Sequence, residues 1–329
     1  MGNKYIVILH TEKKNKMKKL LFNLLYIFAL LCTTSNMSAQ TADTIARSFK
    51  YVERDSALYL DVYNSSKPNG YTVMHIYGGG FVNGSRLTPW DVTYCRNLVK
   101  QGFNVVAIDY RLGLRNVKYG KLSVLENAFY MAAEDCSAAI AYIVNNAKEL
   151  KIDPSKIILE GSSAGAITAL MTDYGRCNRM PYTRELPQDW KPVGVIAYSG
   201  AIYSTDGKVK WQYDQPAPTF LFHGTVDRIV PYKQIVFGKK GFFGGNALAK
   251  RFDKFNLPYC IYRYTDLGHE VSIAGPLTFD EFNQFIKQYI KDGRKLHEDI
   301  TVRDDAYPPT EFSKLSLRDF NKVQSSDDL

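Results

Sequence analysis

Cysteine and histidine are both scarce, at five residues each in a chain of 329. No two cysteines form a CxxC pair, so the common zinc and thiol-redox signatures are missing and neither a metal nor a cofactor is expected. Glycine (23) and proline (13) stand at ordinary levels, which excludes collagen-like and low-complexity chains. Neither GxGxxG nor GxxxxGK(S/T) occurs, which removes the marks of a dinucleotide fold and of a P-loop. No apolar run reaches the roughly 20 residues that a membrane-spanning helix needs. There is also no internal repeat, and no Pro- or Ser-rich linker divides the chain. With 45% hydrophobic and 23% charged residues, the composition is that of an ordinary globular protein built around one large core.

Charge is unevenly placed. The formal net charge is +9, yet Lys13, Lys14, Lys16, Lys18 and Lys19 immediately precede a short apolar run, Leu20 to Cys32, that ends in Ser38-Ala39-Gln40. A basic start, a short apolar run and small residues make a secretory leader, cleaved near Ala39, with residues 1–16 an upstream extension before Met17. An uncleaved anchor is the alternative. The expected location is therefore periplasmic or extracellular, with membrane contact only through the transient leader. Residues 1–39 hold six lysines and one acid, so without them the formal charge is +4. No basic patch interleaved with aromatics remains, and nucleic acid is not expected as a partner. Cys95, Cys136, Cys177 and Cys260 are expected as buried free thiols.

The remaining chain alternates between two periodicities. Strands are predicted at 57–63, 71–77, 103–109, 156–160, 193–198, 217–222 and 259–264, and helices at 89–101, 123–147, 164–174, 246–255 and 278–291. Thr88-Pro89 reads as N-cap and first helical residue, and Ser123 with Glu126 as a capping box. Such alternation predicts an α/β fold, a mostly parallel sheet flanked by helices on both faces, in one domain over 40–291. The segments 200–216 and 232–246 read as excursions above the sheet, and 292–329 as a polar C-terminal tail.

Gly161-Ser162-Ser163-Ala164-Gly165 fits GxSxG between a predicted buried strand and an Ala-rich helix, the context in which a sharp turn exposes the central serine. Ser163 is therefore the candidate nucleophile and Ser162 a bystander. A serine hydroxyl needs a base oriented by a carboxylate. His269 lies in a loop ahead of the last helix and Asp227 in the loop after an earlier strand, in the chain order Ser163, Asp227, His269. A loop-capping role is the other reading of Asp227, with Asp206 and Asp214 as fallback acids. His223 reads as a structural or pocket-edge residue. Tyr77-Gly78-Gly79-Gly80-Phe81 follows a strand, and the backbone amides of Gly79, Gly80 and Ala164 are the candidate oxyanion donors. Phe242, Phe243, Trp211 and Tyr203 are candidates for an aromatic-tolerant pocket.

These motifs, together with Asp109-Tyr110-Arg111-Leu112, Glu134-Asp135, Asp153-Pro154 and Gly268-His269, resemble the α/β-hydrolase superfamily over residues 55–291. The similarity is to its carboxylesterase and lipase group, hormone-sensitive-lipase-like or feruloyl-esterase-like. Tyr77 stands where that group usually has histidine before the triple glycine, and Ser162 where many members carry an acid. The resemblance implies the α/β-hydrolase fold and a serine hydrolase of short acyl or aryl esters, small-molecule or carbohydrate-linked, including acetyl and feruloyl groups. A serine peptidase of the same fold and a non-catalytic binding protein are the alternatives.

Overall fold

The computed structural model describes residues 46–115, 117, 121–303, 309–316 and 319, and the backbone of residues 4–8. The leader reading of residues 1–39 lies outside this range except at Lys4–Ile8. In chain order the strands are β1 (Lys4–Ile8), β2 (Arg47–Glu53), β3 (Ala57–Tyr63), β4 (Thr72–Ile76), β5 (Asn104–Ile108), β6 (Ile157–Ser162) and β7 (Gly194–Tyr198). They continue with β8 (Ala201–Ser204), β9 (Thr219–Gly224), β10 (Gln234–Phe237), β11 (Lys240–Gly244), β12 (Tyr259–Tyr264) and β13 (His297–Val302). The helices that matter below are α1 (Pro89–Lys100), α2 (Leu122–Asn145), α3 (Ala164–Asn178), α4 (Gly245–Phe255) and α5 (Phe279–Phe285).

Ten strands form one sheet in the order β1-β13-β12-β9-β7-β6-β4-β5-β3-β2. Every pairing is parallel except β2 with β3 and β3 with β5. Parallel strands need crossover helices, and the helices cover both faces, so the central strands β4 and β6 are buried at every residue. Met74, Ile76 and Leu159 pack on the side of α2, α3 and α4, whereas Val73, Ala107 and Ile158 pack against α1 and α5. Thr88 caps α1 as predicted, accepting the Asp91 N–H at 3.1 Å.

Three expectations are revised. The domain does not end at 291. His297–Val302 of the supposed tail pairs with β12 through six residues, because Ile300 and Val302 supply the buried face of a strand whose other side chains are only partly covered. The excursions at 200–216 and 232–246 contain a second, antiparallel sheet in the order β10-β11-β8. The Ser123–Glu126 capping box does not form, since α2 begins one residue earlier at Leu122 and Glu126 turns instead to Lys240, accepting its Nζ at 2.6 Å.

Candidate active site

Strand β6 runs into α3 through Ser163, whose backbone is left-handed at φ 51° and ψ −114°. Such a conformation costs a non-glycine residue about 1–3 kcal/mol. The N–H of Ser163 to Tyr198 O, at 2.8 Å, holds it in place. Gly165 is obligatory here because a Cβ would stand 1.9 Å from Ile76 O, where α3 crosses β4. The turn thus lifts the Ser163 hydroxyl to the carboxyl end of the sheet.

The structure brings all three sequence-selected side chains together. Ser163 Oγ lies 2.8 Å from His269 Nε2, and His269 Nδ1 lies 2.8 Å from Asp227 Oδ2. A carboxylate only accepts, so Nδ1 carries the imidazole proton and Nε2 is left to accept from the serine hydroxyl. The other oxygen of Asp227 accepts the N–H groups of Ile229 at 2.9 Å and Val230 at 3.0 Å. Burial opposes ionisation of Asp227, but electrostatic attraction to the His269 ring and hydrogen bonds from His223 and His269 outweigh it and hold the carboxyl well below the usual range. Asp214 pairs with Arg176 and Asp206 with Lys210, so neither fallback acid serves His269.

His223 has a more definite place than its sequence position indicated. Its Nδ1 accepts the Gly245 N–H at 3.2 Å, which puts the proton on Nε2, 3.2 Å from Val230 O and 3.4 Å from Asp227 Oδ2. Asp227 is therefore gripped by two histidines and two amides. The spacing of His223 four residues before Asp227 was visible in the sequence, but only the turn at 224–227 folds one back over the other.

Gly79 and Gly80 follow β4 with φ of 116° and 63°. A side chain at Gly79 would meet Asn83 O at 2.1 Å, since Val82 and Asn83 both close a turn onto the Gly79 carbonyl. Among the described residues, no backbone carbonyl takes the amide hydrogens of Gly79, Gly80 or Ala164. Tyr77 stacks on Tyr110 at 4.5 Å, and the Tyr110 hydroxyl donates to Tyr77 O at 2.9 Å, which braces the start of this loop.

A cavity of about 520 Å³ opens at Ser163 and Ala164. Its walls are Phe81, Leu125 and Phe129 on one side and Ile235, Phe237 and Phe242 from the small sheet on the other, with Lys121 the one charged lining residue among the described residues. Of the four aromatics proposed from the sequence, Phe242 alone lines it. Phe243 and Tyr203 are core residues, and Trp211 stacks on Phe252. A larger cavity of about 680 Å³, beside Trp190 and Pro218, lies at the amino ends of the strands, away from Ser163.

The BD-FAE family model matches residues 60–184. Cholinesterase 1 of Branchiostoma lanceolatum is 35% identical over 116 residues, 34% of this chain and 31% of its own. An arylesterase of Saccharolobus solfataricus is 31% identical over 143 residues, 43% of each chain. The matched stretch is thus less than half the length of either relative. Esterase 2 of Thermogutta terrifontis, in its tabun-phosphoramylated form, superposes with a TM-score of 0.53 over 74% of this chain and 94% of its own, at 18% identity. The chain has the α/β-hydrolase fold, and residues 60–184 are similar to the BD-FAE family.

Beneath the serine turn, the chain carries a buried cluster of titratable side chains with no local sequence motif. His75 of β4 points Nδ1 at Glu160 Oε2 (2.6 Å) and Nε2 at Asp91 Oδ1 (2.9 Å), so both ring nitrogens face carboxylates. Burial disfavours the charged ring, but Glu160 and Asp91 override it and push the pKa up to about 10. The cluster joins α1 to β6, the strand that leads into Ser163. A raised value means that the stabilisation is full below the ordinary histidine range, about 6.5, and is lost as pH rises through about 10. Melting temperature is accordingly expected to fall between pH 7 and pH 10 more steeply in the natural protein than in His75→Gln. Parallel melting curves across that range would count against a charged His75.

Proposed function

We propose that this chain hydrolyses carboxylic esters by way of an acyl-enzyme. The observation that carries the reading is the chain of hydrogen bonds from Ser163 through His269 to Asp227, open to an apolar cavity. Ser163 Oγ attacks the ester carbonyl while His269 Nε2 takes its proton, then returns it to the departing alcohol. Asp227 holds the ring in the productive tautomer and stabilises the imidazolium. The amides of Gly79, Gly80 and Ala164 receive the oxyanion. Water then repeats the sequence on the acyl-enzyme, with His269 again as base.

The cavity walls favour an apolar acyl or aryl group, and aryl esters linked to carbohydrate, such as feruloyl esters, belong to the same reading, as do acetylated sugars. The basic start and apolar run of residues 13–32 support export as the setting in which such substrates are met. The test is a panel of acetyl, butyryl, octanoyl and feruloyl esters with acetylated xylan, run beside an aminoacyl p-nitroanilide. Esters should be turned over and the anilide not; a clear preference for the anilide would replace this reading with a peptidase.

Phe237 offers a finer check. It lines the cavity yet is 58% exposed, so it forms an adjustable outer wall. Phe237→Ala is expected to reduce kcat/KM for octanoyl esters by roughly 3- to 10-fold, the worth of about one to two buried methylenes, and to leave acetyl esters within about 2-fold. Equal losses on both would place the acyl chain elsewhere.

A further inference from the structure

The segment 309–316, read from sequence as part of a polar tail, lies across both loops that carry the acid and the base. Glu311–Lys314 forms one 3-10 turn, with Thr310 and Ser313 capping each other. Ser313 is 2% exposed. Its hydroxyl accepts the Thr310 N–H at 3.0 Å and donates to Glu270 Oε1, while Glu270 Oε2 accepts the Gly268 N–H at 2.9 Å. The Glu270 carboxylate therefore spans His269, bonded to the residue before it on one side and to the C-terminal segment on the other. Contact with that segment is close: a Cβ on Gly268 would stand 2.5 Å from Ser313 O. A second clasp falls on the acid loop, where Arg228, next to Asp227, forms a parallel bridge with Ser316. Val226 N–H to Leu267 O, at 3.1 Å, ties the two loops to each other.

We propose that residues 309–316 act as a strap that keeps Asp227 and His269 in register with Ser163, with Ser313 and Glu270 as positioning residues. The proposal rests on the ester-hydrolase reading above. None of the strap residues lines the cavity at Ser163, so substrate binding is outside its reach. What it controls is the placement of the imidazole. Misplacement by about 1 Å, even from a change remote from the chemistry, costs as much as about 100-fold in rate.

The experiment uses the full chain with Ser313→Ala, Ser313→Thr and Glu270→Gln, measuring kcat and KM on p-nitrophenyl butyrate, melting temperature, and the rate at which a fluorophosphonate labels Ser163. Ser313→Ala should lower kcat and the labelling rate together by about 10- to 100-fold with KM within about 2-fold. Ser313→Thr keeps the hydroxyl and should recover most of the loss. Glu270→Gln should also lower kcat, and by removing a negative charge beside the imidazolium it should move the acid limb of kcat/KM to lower pH, a shift that Ser313→Ala lacks. Natural kcat and labelling in folded Ser313→Ala would overturn the strap, as would a loss that only tracks the unfolded fraction. If the natural protein neither hydrolyses esters nor takes the label, the ester-hydrolase reading itself fails and the strap falls with it.

Discussion

Ser163→Ala is expected to lower kcat on p-nitrophenyl butyrate by about 10⁴-fold or more, with the melting temperature nearly unchanged. The size of the effect follows from the geometry. Ser163 Oγ is hydrogen-bonded to His269 Nε2 at 2.8 Å, and the acyl-enzyme route needs that oxygen to form the bond to the acyl carbon. Alanine keeps the Cβ that the turn already accommodates, so the fold should tolerate the change. Steady-state kinetics with a fluorophosphonate control decide it. Retention of ester hydrolysis by the purified variant would sink the proposed mechanism.

Asp227→Asn should cost about 10⁴-fold in kcat, more than removal of a single hydrogen bond would. The amides of Ile229 and Val230 require an oxygen on their side of the side chain, which forces the asparagine NH₂ toward His269 Nδ1 and His223 Nε2. A donor facing Nδ1 drives the imidazole proton onto Nε2, and the base for Ser163 is lost. Stability should change with pH in a defined direction. Because the carboxyl of Asp227 is held below its ordinary range, its contribution is present above the unfolded value of about 3.9 and disappears as pH falls through the lower folded value. The natural protein should therefore melt above Asp227→Asn at neutral pH, and the gap should close in acid. Near-natural kcat in Asp227→Asn would show that another group orients His269.

The parts of the site that local pattern could reach were those set by neighbours in sequence. Gly161 to Gly165 lies between a continuous apolar strand and an Ala-rich helix, so the turn and its serine were readable together. Asp227 and His269 each follow a strand in the right chain order, and the fold class followed from the same alternation. Pairings between distant segments were not readable. β13 lies in a stretch, 292–329, whose overall polarity, Pro308-Pro309 and Asp327-Asp328 read as tail, although Ile300 and Val302 at a spacing of two are a strand signal. Ser313 and Glu270 carry no motif at all; their bond exists because the chain returns over the loops of Asp227 and His269. Glu126 had the spacing of a capping partner, but Lys240, Tyr130 and Tyr203 converge on it and compete for its carboxylate. His75 sat in an apolar strand, and nothing local announced that Asp91 and Glu160 would flank it.

The small sheet has a consequence for how this molecule could change its substrates. Among the described residues β10 pairs with β11 alone, and all four of its residues are exposed, so the main sheet does not depend on its side chains. Ile235 and Phe237 nevertheless form one wall of the cavity at Ser163. The strand is in effect a replaceable panel: its sequence can drift, or be grafted from elsewhere, and reshape the cavity at Ser163 while the serine turn and its buried support stay as they are.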